Sequence, residues 1–174
     1  MNANPCFFLG ANSPLGFCSF QSELIDIGEA HRIVYVKGGP GTGKSTLMRR
    51  IADLLEREGI SCEYIYCSSD AHSLDGVVFP ALKSAVLDGT APHVGEPKYF
   101  GAVEEYFSVC PYVDLEAVRS HREAIVSLTD RIRSEFACAY RYIAAARALA
   151  DYRFDLMLPL TDIERLSARG RSLA

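Results

Sequence analysis

The chain has 174 residues, 49% hydrophobic and 23% charged, which is enough for one globular domain with a sizeable core. A net charge of −4 gives no global attraction to nucleic acid or to an anionic membrane, and no apolar run approaches the length of a membrane span. The six cysteines form no C-x-x-C pair and no zinc spacing, so they read as small, buried, reduced thiols, and a cytoplasmic location is expected.

The N-terminal apolar patch Cys6–Leu9 lacks the basic region and long apolar core of a signal peptide. It predicts an extended piece. A second, Phe17–Phe20, follows the turn-rich stretch Gly10–Gly16. Residues 22–30 predict a short helix with Ser22 as N-cap and Leu24 and Ile27 facing inward. Arg32–Lys37 predicts a strand.

Residues 38–45 then read Gly-Gly-Pro-Gly-Thr-Gly-Lys-Ser, a complete G-x-x-x-x-G-K-[ST] loop. Its strand–loop–helix context is what the motif needs; a glycine-rich turn before an ordinary helix is the plain alternative. Gly38, Gly39, Pro40, Gly41, Thr42 and Gly43 let backbone N–H groups turn inward around phosphates. Lys44 would reach the β- and γ-phosphates, Ser45 would put its hydroxyl on Mg²⁺, and Thr46 would meet the α-phosphate. No [NT]-K-x-D guanine-reading motif is present, so ATP is preferred over GTP.

The helix after the loop is expected over 44–58, with Leu47, Met48, Ile51, Leu54 and Leu55 as its apolar stripe and Gly59 at its C-terminal cap. Cys62–Cys67 predicts a strand. Ser73 caps a short expected helix through Val77 and Val78, stopped by Pro80. Ala85–Leu87 predicts a buried strand ending at Asp88-Gly89. This β-α-β-α-β order predicts an α/β fold: a P-loop NTPase-type parallel sheet flanked by helices, with a long C-terminal helical segment.

Residues 89–113 are rich in loop residues, with a helical turn expected at 101–108. From Asp114 to about 150 the pattern is helical, about 50 Å if unbroken, with a break expected near Ser127–Thr129. Thr161-Asp162-Ile163-Glu164 is a capping box for a last helix, and Phe154–Leu158 is a weak further strand candidate. The expected organisation is a nucleotide-binding core over 1–113 and a helical segment over 114–174 packed on it. Three strands leave sheet edges open, so either residues 6–20 complete the sheet or the chain belongs to a longer protein. Self-association, or pairing with a second such unit, is expected.

Asp88 ends an apolar strand, where a carboxylate orients Mg²⁺ through water; a turn aspartate before Gly89 is the alternative. No glutamate follows it, which predicts slow hydrolysis. Asp70, His72, Asp75 and His93 follow strands two and three, where open α/β sheets bind ligands. They could hold an acceptor, and Asp70 or Asp75 could act as a base; taken singly, turn-capping and surface roles fit each of them better. Arg119, Arg122, Arg131 and Arg133 read as a solvated helix face rather than phosphate-clamping arginines. Tyr140, Tyr142 and Ile143 read as core or interface rather than a base-stacking shelf.

The chain resembles a family of uncharacterised bacterial P-loop ATP-binding proteins, described mostly as ATPases, in which the unit occurs twice. The residues that carry the resemblance are Gly38–Thr46, Ser73–Val78 with Pro80, Leu82 and Lys83, and the run Asp88-Gly89-Thr90-Ala91-Pro92-His93. Pro97-Lys98-Tyr99, Gly101 and the stretch Tyr140–Ala146 add to it. It covers most of the chain, though only one of the two units is present. It implies ATP binding and names no reaction.

Three functions are in play. The first is a slow Mg²⁺-dependent ATP hydrolase coupling nucleotide state to conformation. The second is a small-molecule phosphotransferase with its acceptor near residues 70–93. The third is a nucleotide-sensing module without turnover.

Overall fold

The computed structural model describes residues 4–90 and 96–172. Two compact units divide the chain. One holds the described part of Met1–Asn12 with Phe17–Val126; the other holds Ser13–Gly16 with the described part of Ser127–Ala174.

The first unit is built on a six-stranded sheet. Its strands are β1 (Cys6–Phe8), β4 (Arg32–Lys37), β5 (Glu63–Tyr66), β6 (Leu74–Phe79), β7 (Ser84–Asp88) and β8 (Glu104–Ser108), in the order β1-β5-β6-β7-β4-β8. β2 (Gly10–Ser13) and β3 (Gly16–Ser19) form a separate two-stranded sheet. Helix α1 runs Lys44–Arg57.

The sheet is mixed, which corrects the expectation of a parallel one. β4 pairs in parallel with β7 and β8, and β1 with β5, but β6 runs antiparallel to both β5 and β7. The cause lies in residues 73–79, expected to be helical and found as β6. Leu74, Val77 and Val78 suit either period. Gly76 disfavours helix, the run Val77-Val78-Phe79 favours extended backbone, and all six residues of the strand are buried. A Cβ on Gly76 would stand 2.7 Å from Leu87 Cδ2 and 3.3 Å from the Val86 carbonyl oxygen, so only glycine fits between the neighbouring strands.

Alternation along the strands makes two cores. Val36, Val86, Val77, Phe79 and Leu74 meet Met48 and Ala52 of α1 on one face. Ile33, Tyr35, Ile65, Val78, Ala85 and Leu87 form the other, covered by Leu9, Leu24, Ile25, Ile27 and Ala30. Leu24 and Ile27 thus face inward as expected. The 22–30 segment carries only a 3₁₀ turn, Gln21–Glu23, and not the expected helix. One face of the sheet is therefore covered by a helix and the other by an irregular strap.

Met48 is fully buried where α1 meets the sheet. Met48→Ala should cost about 2–5 kcal/mol of stability, read as a lowered denaturant midpoint.

Other expectations shift in detail. The 101–108 stretch is a turn followed by β8, not a helical turn. β1 joins the sheet edge beside β5, so part of residues 6–20 does extend the sheet. Leu54 is exposed and not in the α1 stripe. Of the six free cysteines only Cys62 is buried, its thiol pushed up to about 11 by burial; Cys6 and Cys110 are exposed.

Helix α2 (Leu115–Ser120) is capped by Asp114, which accepts from the Glu116 and Ala117 N–H groups. The break comes at His121, earlier than expected. Helix α3 then runs unbroken over Arg122–Met157 and absorbs Phe154, so no strand forms there. Helix α4 (Ile163–Arg171) is capped by Asp162, whose carboxylate accepts from Arg165 N at 2.9 Å; the expected Thr161 cap is displaced by one residue.

Candidate functional site

β4 delivers the chain into the Gly38–Gly43 loop, and α1 begins at Lys44. Gly41 and Gly43 have φ of 73° and 89°, the left-handed region that a side chain would strain. These turns bring the loop back over the start of α1.

The start of this helix breaks the usual rules of helix stability. Its N-cap is Gly43, with no side-chain capping bond, and no acidic residue sits in its first turn. The residue that opens the helix is a lysine instead. The first intrahelical bond of this turn is Leu47 N–H to the Gly43 carbonyl at 2.9 Å. The N–H groups of Lys44, Ser45 and Thr46 therefore have no acceptor within the helix. A positive helix end with open donors and a cation beside it suits an anion.

Lys44 is 9% exposed and its ammonium is held on the loop. Nζ donates to the Gly38 and Gly39 carbonyls at 2.8 and 2.9 Å and stands 3.5 Å from Asp88 Oδ2. Asp88 Oδ1 accepts from Thr90 N–H at 2.8 Å, and Thr90 Oγ1 donates to the Gly38 carbonyl at 2.9 Å. Gly89 N–H bonds the Val36 carbonyl at 3.0 Å. The Asp88–Thr90 turn is thus stapled to the loop, because β7 lies beside β4 in register, Val36 opposite Asp88.

The cleft is about 500 Å³ and takes in Lys44, Ser45, Thr46, Asp75, Asp88 and Thr90. Asp70 also lines it; His72 does not. His72 is exposed, its carbonyl accepting from Arg49 at 2.8 Å. His93 lies outside the described residues. Arg119, Arg122, Arg131 and Arg133 are all exposed. Arg131 and Arg133 pair along α3 with Glu135 at 3.9 Å and Asp130 at 3.5 Å, a solvated helix face. Tyr142 is 74% exposed and Tyr140 and Ile143 are half-buried, so they make no core.

Asp75 is the buried carboxylate of this cleft, 7% exposed. It sits where the β5–β6 register slips: Ile65 pairs with Gly76 and Tyr66 with Leu74, leaving Asp75 as the bulged residue. The next residue back, Leu74, gives its N–H to Ser45 Oγ at 2.9 Å, which ties β6 to the start of α1. Cys67 also lines the cleft; its thiol is pushed up chiefly by burial, and the neighbouring Asp75 carboxylate adds to this.

The donor set suits a magnesium–nucleotide complex. Ser45 Oγ accepts one hydrogen bond and keeps a lone pair for a metal, and Asp88 stands across the loop. Among the described residues no group of three or more His, Cys, Asp or Glu side chains gathers to cage a metal. Mg²⁺ needs no such cage, since phosphate oxygens and water supply most of its ligands.

Sequence reasoning missed Glu104, a second buried carboxylate, at 3% exposure. It lies away from the loop and accepts from Tyr35 OH at 3.1 Å and from the Lys98 and Tyr99 N–H groups at 2.7 and 2.8 Å. No sequence signal marked it, because the stretch around it read as a helical turn in a loop-rich region, not as a strand.

No described helix is long and apolar enough to cross a membrane. No solved structure matches the chain. Residues 19–86, which include the loop, match the family model for the N-terminal part of nephrocystin 3. The chain is also 44% identical over 45 residues to an ATP-dependent RecD2 DNA helicase of Deinococcus radiodurans, a match that covers 26% of this chain and 6% of the helicase. These matches relate the chain to P-loop NTPases, and the helicase match points to nucleotide binding.

Proposed function

We propose that this chain binds Mg-ATP at Gly38–Thr46 and hydrolyses it slowly, coupling nucleotide state to conformation. The observation that carries the reading is the uncapped N-terminus of α1, with Lys44 where an acidic residue would ordinarily stabilise the helix. Lys44 would exchange the Gly38 and Gly39 carbonyls for the terminal phosphates. Ser45 and Asp88 would hold the metal, Asp88 through water. Gly89 stands where a glutamate base would follow Asp88, and Asp75 is the remaining buried carboxylate in the cleft able to take a proton from water. A phosphate-release assay on the chain with Mg-ATP and no acceptor tests the reading. Tight binding with no release would replace it with a sensing role.

A phosphotransferase is the second reading, favoured by the cleft's extension past the loop to Ser69, Asp70 and Ser73. Phosphate transfer that appears only with an added acceptor would select it.

Two substitutions divide the work of the carboxylates. Asp88→Asn should weaken nucleotide affinity about 10-fold with Mg²⁺ and little without it, by calorimetry in both conditions. Equal loss in both would make Asp88 structural. Asp75→Asn should leave Mg-ATP affinity within about 3-fold and cut phosphate release about 100-fold or more. Unchanged release would remove Asp75 from the chemistry.

A further inference from the structure

Helix α3 has 36 residues and buries none of them. One row of its residues is nonetheless apolar but for a single member. Starting at Ile125 they recur in alternating steps of four and three: Ile125, Thr129, Ile132, Phe136, Ala139, Ile143, Ala146 and Ala150. Thr129 is the sole polar member. Alternating steps of four and three are the heptad spacing of helices wound against one another. The six charged residues between Ile125 and Ala150 all lie off the seam. Asp130 and Glu135 pair with Arg133 and Arg131 on the same helix.

We infer that the seam is filled by α3 of a second copy of this chain, running antiparallel. The large side chains Ile125, Ile132 and Phe136 lie in the first half of the seam, and the alanines 139, 146 and 150 in the second half. A parallel pair would set Phe136 against Phe136 and Ala146 against Ala146, crowding one half and leaving the other hollow. An antiparallel pair centred between Ala137 and Cys138 sets Phe136 opposite Ala139, Ile125 opposite Ala150 and Ile132 opposite Ile143 of the second copy. A two-fold axis then makes each layer occur twice.

The flanks agree with this register. Leu128, 57% exposed, comes opposite Leu149, 72% exposed. Glu135 comes opposite Tyr142 and Arg133 opposite Tyr140, so no like charges face each other. Nothing in this inference depends on nucleotide chemistry.

Sedimentation of the full chain at tens of micromolar tests it, and a dimer is expected. Ile132→Asp with Ile143→Asp should weaken association at least 10-fold while circular dichroism keeps its helix signal. A second arm needs no destabilising charge. Ile132→Cys with Ile143→Cys should give a disulfide-linked dimer under mild oxidation, with peptide mapping showing residue 132 joined to residue 143. Within one helix those positions are about 16 Å apart and cannot bridge. Ile132→Cys alone should not join to itself. A monomer at these concentrations, a dimer indifferent to the aspartates, or a 132-to-132 link would each overturn the inference.

Discussion

Lys44→Ala is expected to lower Mg-ATP affinity by about 100-fold or more. A lysine ammonium bonding phosphate oxygens contributes about 3 kcal/mol through charge-assisted hydrogen bonds, and 1.4 kcal/mol is tenfold in affinity. Alanine keeps the helix propensity of the first turn, so α1 itself should survive. Some stability should still go. Nζ satisfies the Gly38 and Gly39 carbonyls and faces Asp88, whose side chain is 13% exposed. Calorimetry reads the affinity, and a melting curve of the same variant reads the fold. A variant that melts normally and binds ATP as well as the parent would show that the phosphate site is elsewhere.

Glu104→Ala should cost about 3–5 kcal/mol of folding stability, more than any other single change proposed for this chain outside its hydrophobic core. The substitution leaves three donors without their acceptor: Tyr35 OH, Lys98 N–H and Tyr99 N–H. Each buried orphan costs about 1–3 kcal/mol, partly offset where water enters. Glu104→Gln keeps one accepting oxygen and should lose less, and a denaturant series on both variants checks the order.

The same pair has a signature at high pH. Burial first, and then the Glu104 carboxylate, push the Tyr35 phenol up to about 12 from an ordinary 10. The folded chain therefore favours the neutral phenol. That contribution is complete below pH 10 and is lost as pH rises towards 12. In Glu104→Ala, ultraviolet titration should find this phenol ionising at lower pH.

What could be read in advance follows from the range of the interactions involved. The β4 strand was legible to the residue, and α1 nearly so, since alternation, the glycine loop and a helical stripe are local signals. The direction of β6 was not. Leu74-Asp75-Gly76-Val77-Val78-Phe79 is short enough to satisfy both periods, and only burial on both faces decides it. That misreading concealed the bulge at Asp75 and so the reason this aspartate, rather than His72, lines the cleft. β8 and Glu104 were hidden for a related reason. β8 is an edge strand held by register with β4, and its outward residues carry no alternation of their own.

The order of the strands also sets a timetable for folding. β5, β6 and β7 are consecutive in the chain and pair as a meander, so their contacts close short loops and can form early. β4 has no neighbour of that kind. It pairs Ile33 with Ala85 on one side and with Glu104 on the other, both far along the chain. The strand that leads into the glycine loop is thus inserted between partners synthesised after it, and its pairing is complete only once β8 has emerged.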